Sequence, residues 1–437
     1  MALVNIRKTR IKKLEAIKKA GINPYPIKTK RTHSIEETLA NFERFARAKT
    51  ELNLVGRIRS IREHGGSAFF HFEDGTNKLQ AYLKRDKVGA KKYQFFLANF
   101  DVGDFIEVAG TLFKTKRGEK TIEVSDFRIL AKSVLPLPEK WHGLQDVEER
   151  FRKRYLDLIM NSEVKEKFQL RSRIIEELRN ILAKEGFLEV ETPILQPIPG
   201  GALAKPFKTH LNALKLDLYL RVSPELYLKR LLVGGFEKIY EIGRCFRNEG
   251  MDKHHNPDFT MLELYWAYQD RDNLMNFLER IMVDLVKKIK GKSQISYQGQ
   301  KIDFKTPWRR IKYQRNYEET REKIIQPTFV IDYPVELSIL AKAKIDNHKE
   351  AHSFQLVIGG IELIKGFSEL NDPIEQERRF QKAKIETERK DKDFLEALQY
   401  GMPPAAGLGL GVDRLVALLT DSHSLREAII FPTMRPK

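Results

Sequence analysis

Between residues 52 and 132 the chain breaks into five short runs of strand-forming residues: LNLVGRIRSI, SAFFHFED, KLQAYLKRD, DFIEVAGTLFKT and TIEVSDFRIL. Gly65-Gly66, Asp74-Gly75 and Arg117-Gly118 stand between runs as turn formers. A sheet of five short strands leaves two unpaired edges unless it curls and closes. The pattern therefore predicts a small barrel of the OB type over residues 51–135. Barrels of this kind bind single-stranded nucleic acid by stacking bases on aromatic rings in a basic groove. Phe69, Phe70 and Phe72 fall in one run, close in sequence to Arg57, Arg59 and Arg62. Alternation sends some of these rings inward and some outward, and does not by itself say which.

Charge points the same way. Lys and Arg number 78 against 60 Asp and Glu, a formal net charge of +18. Residues 1–50 hold 13 of the basic and 4 of the acidic residues, so +9 of that excess lies in this stretch. A surplus of this size suggests a polyanionic partner, nucleic acid above all. Ile6, Ile11, Leu14 and Ile17 recur at near-helical spacing among the basic residues, and Gly21 and Pro24 end the pattern. Residues 1–50 are thus expected to form a basic helical extension. No apolar run approaches the ~20 residues of a membrane span, and the start has no continuous apolar signal-like region. The single cysteine, Cys245, excludes a disulfide framework or a multi-cysteine metal site. A soluble, cytoplasmic protein with no membrane partner is expected.

Residues 136–160, with Pro136, Pro138 and Trp141, read as a linker, and the pattern then changes to mixed α and β. A long helix is expected over 164–185, with Phe168, Ile174, Ile175, Leu178, Ile181 and Leu182 on its apolar side. Residues 214–222 alternate strictly, as a half-buried strand of an antiparallel sheet does. Ser223-Pro224-Glu225 opens another helix, IYEIGRCFRN is a strand, and 271–290 is a helix. FQLVIGGIELIKGFSEL is a hairpin turning at Gly359-Gly360, and GLGLGVDRLVALL is a Gly-rich strand running into a helix. The fold class is α+β, with residues 161–437 as one domain built on an antiparallel sheet flanked by helices.

Three clusters in this domain could carry chemistry. In the first, Arg244, Arg247, Asn248 and Glu249 end a strand, a polar loop with His255 and Asn256 follows, and a return strand carries Phe259, Glu263 and Tyr265. Arginine forks on such a loop can hold a phosphate chain, and Glu with Tyr on one strand face can hold a cation. In the second, the glycines at 407, 409 and 411 let backbone or ligand approach closely, and Arg414 can meet an anion. The third is the hairpin with Gln355, Glu362, Gly366, Phe367 and Glu369. Gln355 and Glu362 are diagonal across it, within reach of a shared ion. Glu362 and Glu369 have opposite parity, so both enter one site only if the strand bulges, with Gly366 as the expected place.

In this order the clusters resemble the three signature motifs of class II aminoacyl-tRNA synthetases, and the chain is most similar to the class II lysyl-tRNA synthetases. FLEVETPILQPIPGGALAKPF, RVSPELYLKRLLVGGFEKIYEIGRCFRNEG, HNPDFTMLELYWAY, GFSELNDP and GMPPAAGLGLGVDRLVALL carry the likeness. The resemblance implies ATP-dependent activation of L-lysine and its transfer to the 3′ end of tRNA(Lys). It implies a homodimer, with Pro193 marking the interface motif. Arg247 and Arg414 are then the catalytic cations. Arg247 binds the α-phosphate and the lysine carboxylate, Glu249 the adenine edge, Phe259 the adenine face and His255 the outer phosphates. Asn256, Glu362 and Gly411 complete the ATP set. Gly201 and Glu225 hold the lysine α-amino group, and Glu263, Tyr265 and Glu369 its ε-ammonium, with Phe367 and Gly409 beside them. Mg²⁺ accompanies ATP, with Glu362 as its best ligand and Gln355 as a doubtful one. In the barrel, Arg57, Phe69 and Gln80 match the positions that read the central anticodon base, which makes 51–135 an anticodon-binding domain. An aspartyl or asparaginyl enzyme shares this framework but needs a cationic substrate pocket, against which Glu263, Tyr265 and Glu369 argue.

Three positions depart from the family. Gln355 stands where a second metal-binding Glu is usual, and a neutral amide is a poorer ligand for Mg²⁺. Lys365 replaces an Asn beside the substrate. Only Lys312 to Ile325 occupy the place of a helical segment of a few dozen residues.

Overall fold

The structure, a computed structural model, describes residues 2–138, 146–202, 204–253, 255–383 and 391–436. Trp141, expected in the linker, lies outside them. The chain divides into two units, Met1–Gly143 and Leu144–Lys437.

In the first unit, β1 (Leu52–His64), β2 (Ser67–Glu73), β3 (Lys78–Lys84), β4 (Phe105–Lys114) and β5 (Lys120–Ala131) close into a barrel in the order β1-β2-β3-β5-β4. The strand runs predict all five. They do not predict the two helices Arg85–Val88 and Ala90–Asn99 that connect β3 to β4 and drive Tyr93 and Phe96 into the core. Leu52, Leu54, Ile58, Phe70, Phe72, Leu79 and Leu83 alternate inward. The helices Ala2–Lys19, Ile35–Ala40 and Phe42–Ala48 add Ile17, Ile35, Phe42 and Phe45 to that core. Part of the basic surplus faces inward too. Arg10 is buried and donates to the carbonyls of Val102 (3.0 Å), Ser133 (3.2 Å) and Leu135 (3.0 Å), and Lys13 pairs with Asp101 at 2.7 Å.

The second unit is organised by an eight-stranded sheet. Edge to edge its strands are Arg309–Lys312, Thr328–Ile331, Ser353–Ile358, Ile361–Ser368, Ala405–Gly411, Asp258–Ala267, Lys238–Phe246 and Leu188–Glu189. The inner pairs are antiparallel, as expected, and only the outermost pair at each edge is parallel. Helices Ser162–Lys184, Arg271–Lys290 and Val412–Leu419 cover one face, packing Ile174, Leu178, Leu278, Met282, Leu415 and Leu418 on Leu262, Leu264, Leu356 and Leu408. The alternating run at 214–222 is an antiparallel strand, Leu216–Leu220, but of a separate three-stranded sheet. The stretch expected as linker holds the helices Val147–Arg152 and Arg154–Met160. The buried Arg154 ties it into this unit, donating to the carbonyls of Arg426 (2.9 Å) and Ile430 (3.1 Å) and pairing with Asp157 at 2.6 Å.

The barrel register rests on one close approach. A Cβ on Gly110 would overlap the Glu123 carbonyl of the neighbouring strand and lie 3.1 Å from the Ile122 side chain. Gly110→Ala is expected to destabilise the Met1–Gly143 unit by about 1–3 kcal/mol. Calorimetry should show its transition lowered and that of the second unit unchanged. An unshifted first transition would refute the β4–β5 register.

Candidate active site

The open face of the large sheet forms the floor of a cavity of about 740 Å³. The register places two rows of side chains across it. One row runs Gln355, Lys365, Gly409, Glu263 and Glu241, and the next runs Ser353, Phe367, Gly407, Tyr265 and Ile239. The opposite parity is the core, so the tight period of two that buries Leu262, Leu264 and Leu408 also presents Glu263 and Tyr265 to the cavity.

Gly407 lies between Phe367 and Tyr265 on the floor. A Cβ there would overlap a Glu369 carboxylate oxygen and lie 2.5 Å from the Tyr265 ring. The glycine is what lets both groups reach this end of the cavity. Gly201, at φ +86°, approaches from the rim, and a Cβ there would lie 2.9 Å from Ser223 Oγ.

This end of the cavity is acidic. Ser223, two residues before the helix Glu225–Val233, donates to Glu263 Oε1 at 2.6 Å and accepts from the Glu225 backbone N–H at 3.0 Å. Tyr265 donates to Glu263 Oε2 at 3.1 Å. Burial, with the charge of Glu225 next, pushes the Glu263 carboxyl up to about 7. Glu241, the adjacent acid in the row, is tied instead to Arg221 and to the Thr192 hydroxyl. Glu369 does not line the open cavity. It lies fully buried behind Tyr265 and Gly407, where burial pushes its carboxyl up to about 8 against the opposing charge of Lys229. Lys229 was not anticipated from the sequence. Its ammonium is fully buried, 2.7 Å from Glu225 and 2.6 Å from Glu369. It sits one helical turn after Glu225, the only trace it leaves in the sequence.

The other end is basic. Arg247 leaves the strand Lys238–Phe246 with its guanidinium 5.0 Å from the centre of the Phe259 ring and its Nε buried without a partner. Arg414 donates to the Glu362 carbonyl at 2.8 Å. Burial presses its guanidinium below the ordinary arginine range, and the charges of Arg321 and Arg247 press the same way, against Glu362. A cluster of desolvated cations favours an anion between them. Asn256 and Gly411 line the same region, and Asn256 donates to the Asp258 carbonyl at 2.7 Å. Glu249 and His255 line the cavity mouth and are exposed, His255 paired with Asp252 at 2.9 Å.

The hairpin bulges, but not at Gly366. The register shifts between Leu356 and Val357, so Val357 pairs with Glu362 and Leu363 is the extra residue. That shift brings Glu362, Lys365, Phe367 and Glu369 to one face. Gly366 serves packing: a Cβ there would press the Phe354 ring at 2.6 Å.

Gln355 and Glu362 share the face but do not form a two-ligand cation site. The Gln355 amide oxygen accepts the hydroxyls of Tyr317 (2.9 Å) and Tyr333 (2.7 Å) and is spent. Arg321 lies 3.9 Å from the Glu362 carboxylate. Tyr317 and Arg321 both belong to the segment 312–325, so this segment supplies a partner to each member of the pair. Among the described residues no three His, Cys, Asp or Glu side chains converge as metal ligands.

In the barrel, Phe70 and Phe72 are core and Phe69 faces outward, stacked on Tyr82 with ring centres 4.6 Å apart. Pairings Phe69↔Tyr82, His71↔Gln80 and Arg57↔Glu73 put Phe69, Gln80 and Arg57 on the same outer face. Gln80 is nearly buried, its amide oxygen accepting from Thr121 at 2.8 Å, and Arg57 lies over the Phe105 ring at 4.2 Å while donating to the Gly103 carbonyl.

Comparison with known proteins agrees with this geometry. Residues 146–435 match the tRNA synthetases class II (D, K and N), and residues 52–130 match the OB-fold nucleic acid binding domain. A lysine-tRNA ligase of Carboxydothermus hydrogenoformans is 48% identical over 480 residues, covering 98% of each chain. Those of Fervidobacterium nodosum and Thermotoga maritima are 44% and 42% identical, covering 100% of this chain and 95% and 97% of their own. The Fervidobacterium alignment has 485 positions against the 437 residues of this chain, so at least 48 positions have no residue here. The chain belongs to the class II aminoacyl-tRNA synthetases of the aspartyl, lysyl and asparaginyl group, alongside the lysine-tRNA ligases.

Proposed function

We infer that the protein is an ATP-dependent lysine-tRNA ligase, which joins lysine to ATP as lysyl-adenylate and passes it to the 3′ end of tRNA(Lys). The observation that carries this reading is the polarity of one cavity, with carboxylates and Tyr265 at one end and Arg247 and Arg414 at the other. An amino acid with a cationic side chain is held by the first end and a triphosphate by the second. A buried ammonium needs carboxylates to offset its lost hydration, which an aspartate-binding pocket would not supply.

Glu263 and Tyr265 receive the ε-ammonium, with the charge of Glu369 behind them and Phe367 and Gly409 beside them, while Gly201 and Glu225 receive the α-amino group. Arg247 lies between the lysine carboxylate and the α-phosphate, and its charge offsets the repulsion between the two anions. The carboxylate attacks the α-phosphate, pyrophosphate leaves toward Arg414 and His255, and the tRNA terminal hydroxyl then displaces AMP. Phe259 and Glu249 hold the adenine. No strong protein base is required. Positioning and charge neutralisation carry the rate. ATP-dependent enzymes of this family work with a divalent metal, here Mg²⁺ carried by the nucleotide. Glu362 would be its protein ligand, and Gln355, whose amide oxygen already accepts two hydroxyls, does not fit as one.

Phe69, Arg57 and Gln80 form the anticodon-reading surface, supported by the outward ring of Phe69 in a nucleic-acid-binding barrel. The exposed Ile194, Leu195, Leu214 and Leu216 flanking Pro193 and the small sheet support a homodimer. Among the described residues no helix is long and apolar enough to cross a membrane. A cytoplasmic location follows from the substrate, charged where protein synthesis takes place.

Lysine-dependent exchange of pyrophosphate into ATP is expected, and Arg247→Ala should reduce it on the order of 10²–10³-fold. Exchange with aspartate instead would overturn the reading. Gly407→Ala should raise KM for lysine at least ~10-fold, with KM for ATP little changed, because the new methyl displaces Tyr265 or Glu369. Equal effects on both substrates would contradict that placement. Phe69→Ala should cost about 1–3 kcal/mol in tRNA recognition, read as kcat/KM for charging, with pyrophosphate exchange intact. Loss of both together would refute the role of the barrel.

A further inference from the structure

Three acids meet at the closed end of the cavity, and the ammonium that answers them is the protein's own. Lys229 reaches Glu225 from the same helix, at 2.7 Å, and Glu369 from the end of the hairpin strand, at 2.6 Å. Glu263 and Tyr265 face the same spot from the central strand, and Glu225 raises the pKa of each of them through its charge. The rings of Phe367 and Phe394 lie 5.4 and 6.0 Å from the ammonium and wall it from water. Of these groups Lys229 alone is cationic. The second oxygen of Glu369, Oε1, is buried with no hydrogen-bond partner and lies beside Gly407 and Tyr265.

We propose that Lys229 is a positioning residue for lysine, a built-in counter-ion that fixes Glu225 and Glu369 and adjusts the pocket charge to that of the substrate. The proposal rests on the lysine-ligase reading and deepens it. Glu225, Glu263 and Glu369 carry three negative charges when ionised. Lys229 offsets one, and the α- and ε-ammonium groups of lysine offset the other two, while its carboxylate meets Arg247. Lys229 acts through the two carboxylates and does not touch the substrate. Charge balance also explains how the empty site tolerates its acids. Burial, with Glu225 adding to it, raises Glu263, and burial raises Glu369 against the charge of Lys229, so both acids are easier to protonate than free carboxyls. Lys229 itself is held in its charged form: burial alone would lower its pKa, but Glu225 and Glu369 together raise it.

The test uses full-length protein and pyrophosphate exchange between pH 6.5 and 9. Lys229→Met keeps the side-chain volume and removes the charge. KM for lysine is expected to rise on the order of 10²-fold at pH 7.5, with KM for ATP within ~3-fold of wild type. Without the internal cation the acids hold their protons to higher pH. The lysine KM of the variant should therefore fall more steeply than that of wild type between pH 7 and 9. Lys229→Ala leaves a cavity shaped as n-propylammonium. Added n-propylammonium should restore kcat/KM for lysine about 10-fold or more, and n-propanol should not. If propanol rescues as well, or if kcat and both KM values deteriorate together with an unchanged pH slope, Lys229 is a packing residue and the proposal fails. If Lys229→Ala does not fold, the pH slope of Lys229→Met decides alone. If that variant does not fold either, Lys229→Gln read the same way decides. Absence of lysine-dependent exchange in the wild type would instead overturn the lysine-ligase reading.

Discussion

Carboxylates taken out of water cost several kcal/mol each unless a cation or proton replaces the lost hydration. Glu225, Glu263 and Glu369 are all buried, and much of the second unit is arranged around that cost. Ser223 and Tyr265 hydrogen-bond to Glu263, Lys229 answers Glu225 and Glu369, and Gly407 leaves the room in which they meet. Neighbouring Glu241 shows the alternative solution. It faces the same side of the sheet but is closed by Arg221 and Thr192, and so supports the fold instead of receiving a ligand.

The basic end follows the same physics with the opposite sign. Arg247, Arg414 and Arg321 are near enough for their charges to bear on one another, and Arg414 is largely desolvated. Gln355, the doubtful second ligand, is tied to two tyrosines, and Arg321 lies 3.9 Å from the Glu362 carboxylate. The segment between Lys312 and Ile325 supplies both Tyr317 and Arg321. A guanidinium stands 3.9 Å from Glu362, the carboxylate that the sequence offered as ligand for an ion.

The two ends of the cavity are legible in the sequence to different degrees. Glu263 and Tyr265 share parity on a strand, and the structure keeps that parity. Glu369 was readable as an acid near the site but not as a group behind the floor, because that place is set by its contacts with Lys229 and Gly407 on other elements. Lys229 appears in the sequence as one more basic residue on an amphipathic helix, where a solvated face is the ordinary outcome. Only its contacts with two acids from different elements identify it. Phe69 was likewise one of three alternating phenylalanines until the register assigned Phe70 and Phe72 to the core.

Local periodicity, turn glycines and residue order determined the five barrel strands, the long helices, the Gly359-Gly360 hairpin and the family, because these depend on near neighbours in the chain. Charge count pointed to nucleic acid, but not every basic residue is free at the surface: Arg10 is tied to backbone carbonyls, Lys13 pairs with Asp101, and the buried Lys132 pairs with Asp101 and Asp104. The tertiary structure alone decided which acids are closed by cations, which remain open to a ligand, and that Gln355 is no longer available. Those outcomes depend on distances of a few ångströms between residues far apart in sequence, such as Lys229 and Glu369 or Tyr317 and Gln355. Desolvation makes such contacts decisive, and no local pattern encodes them.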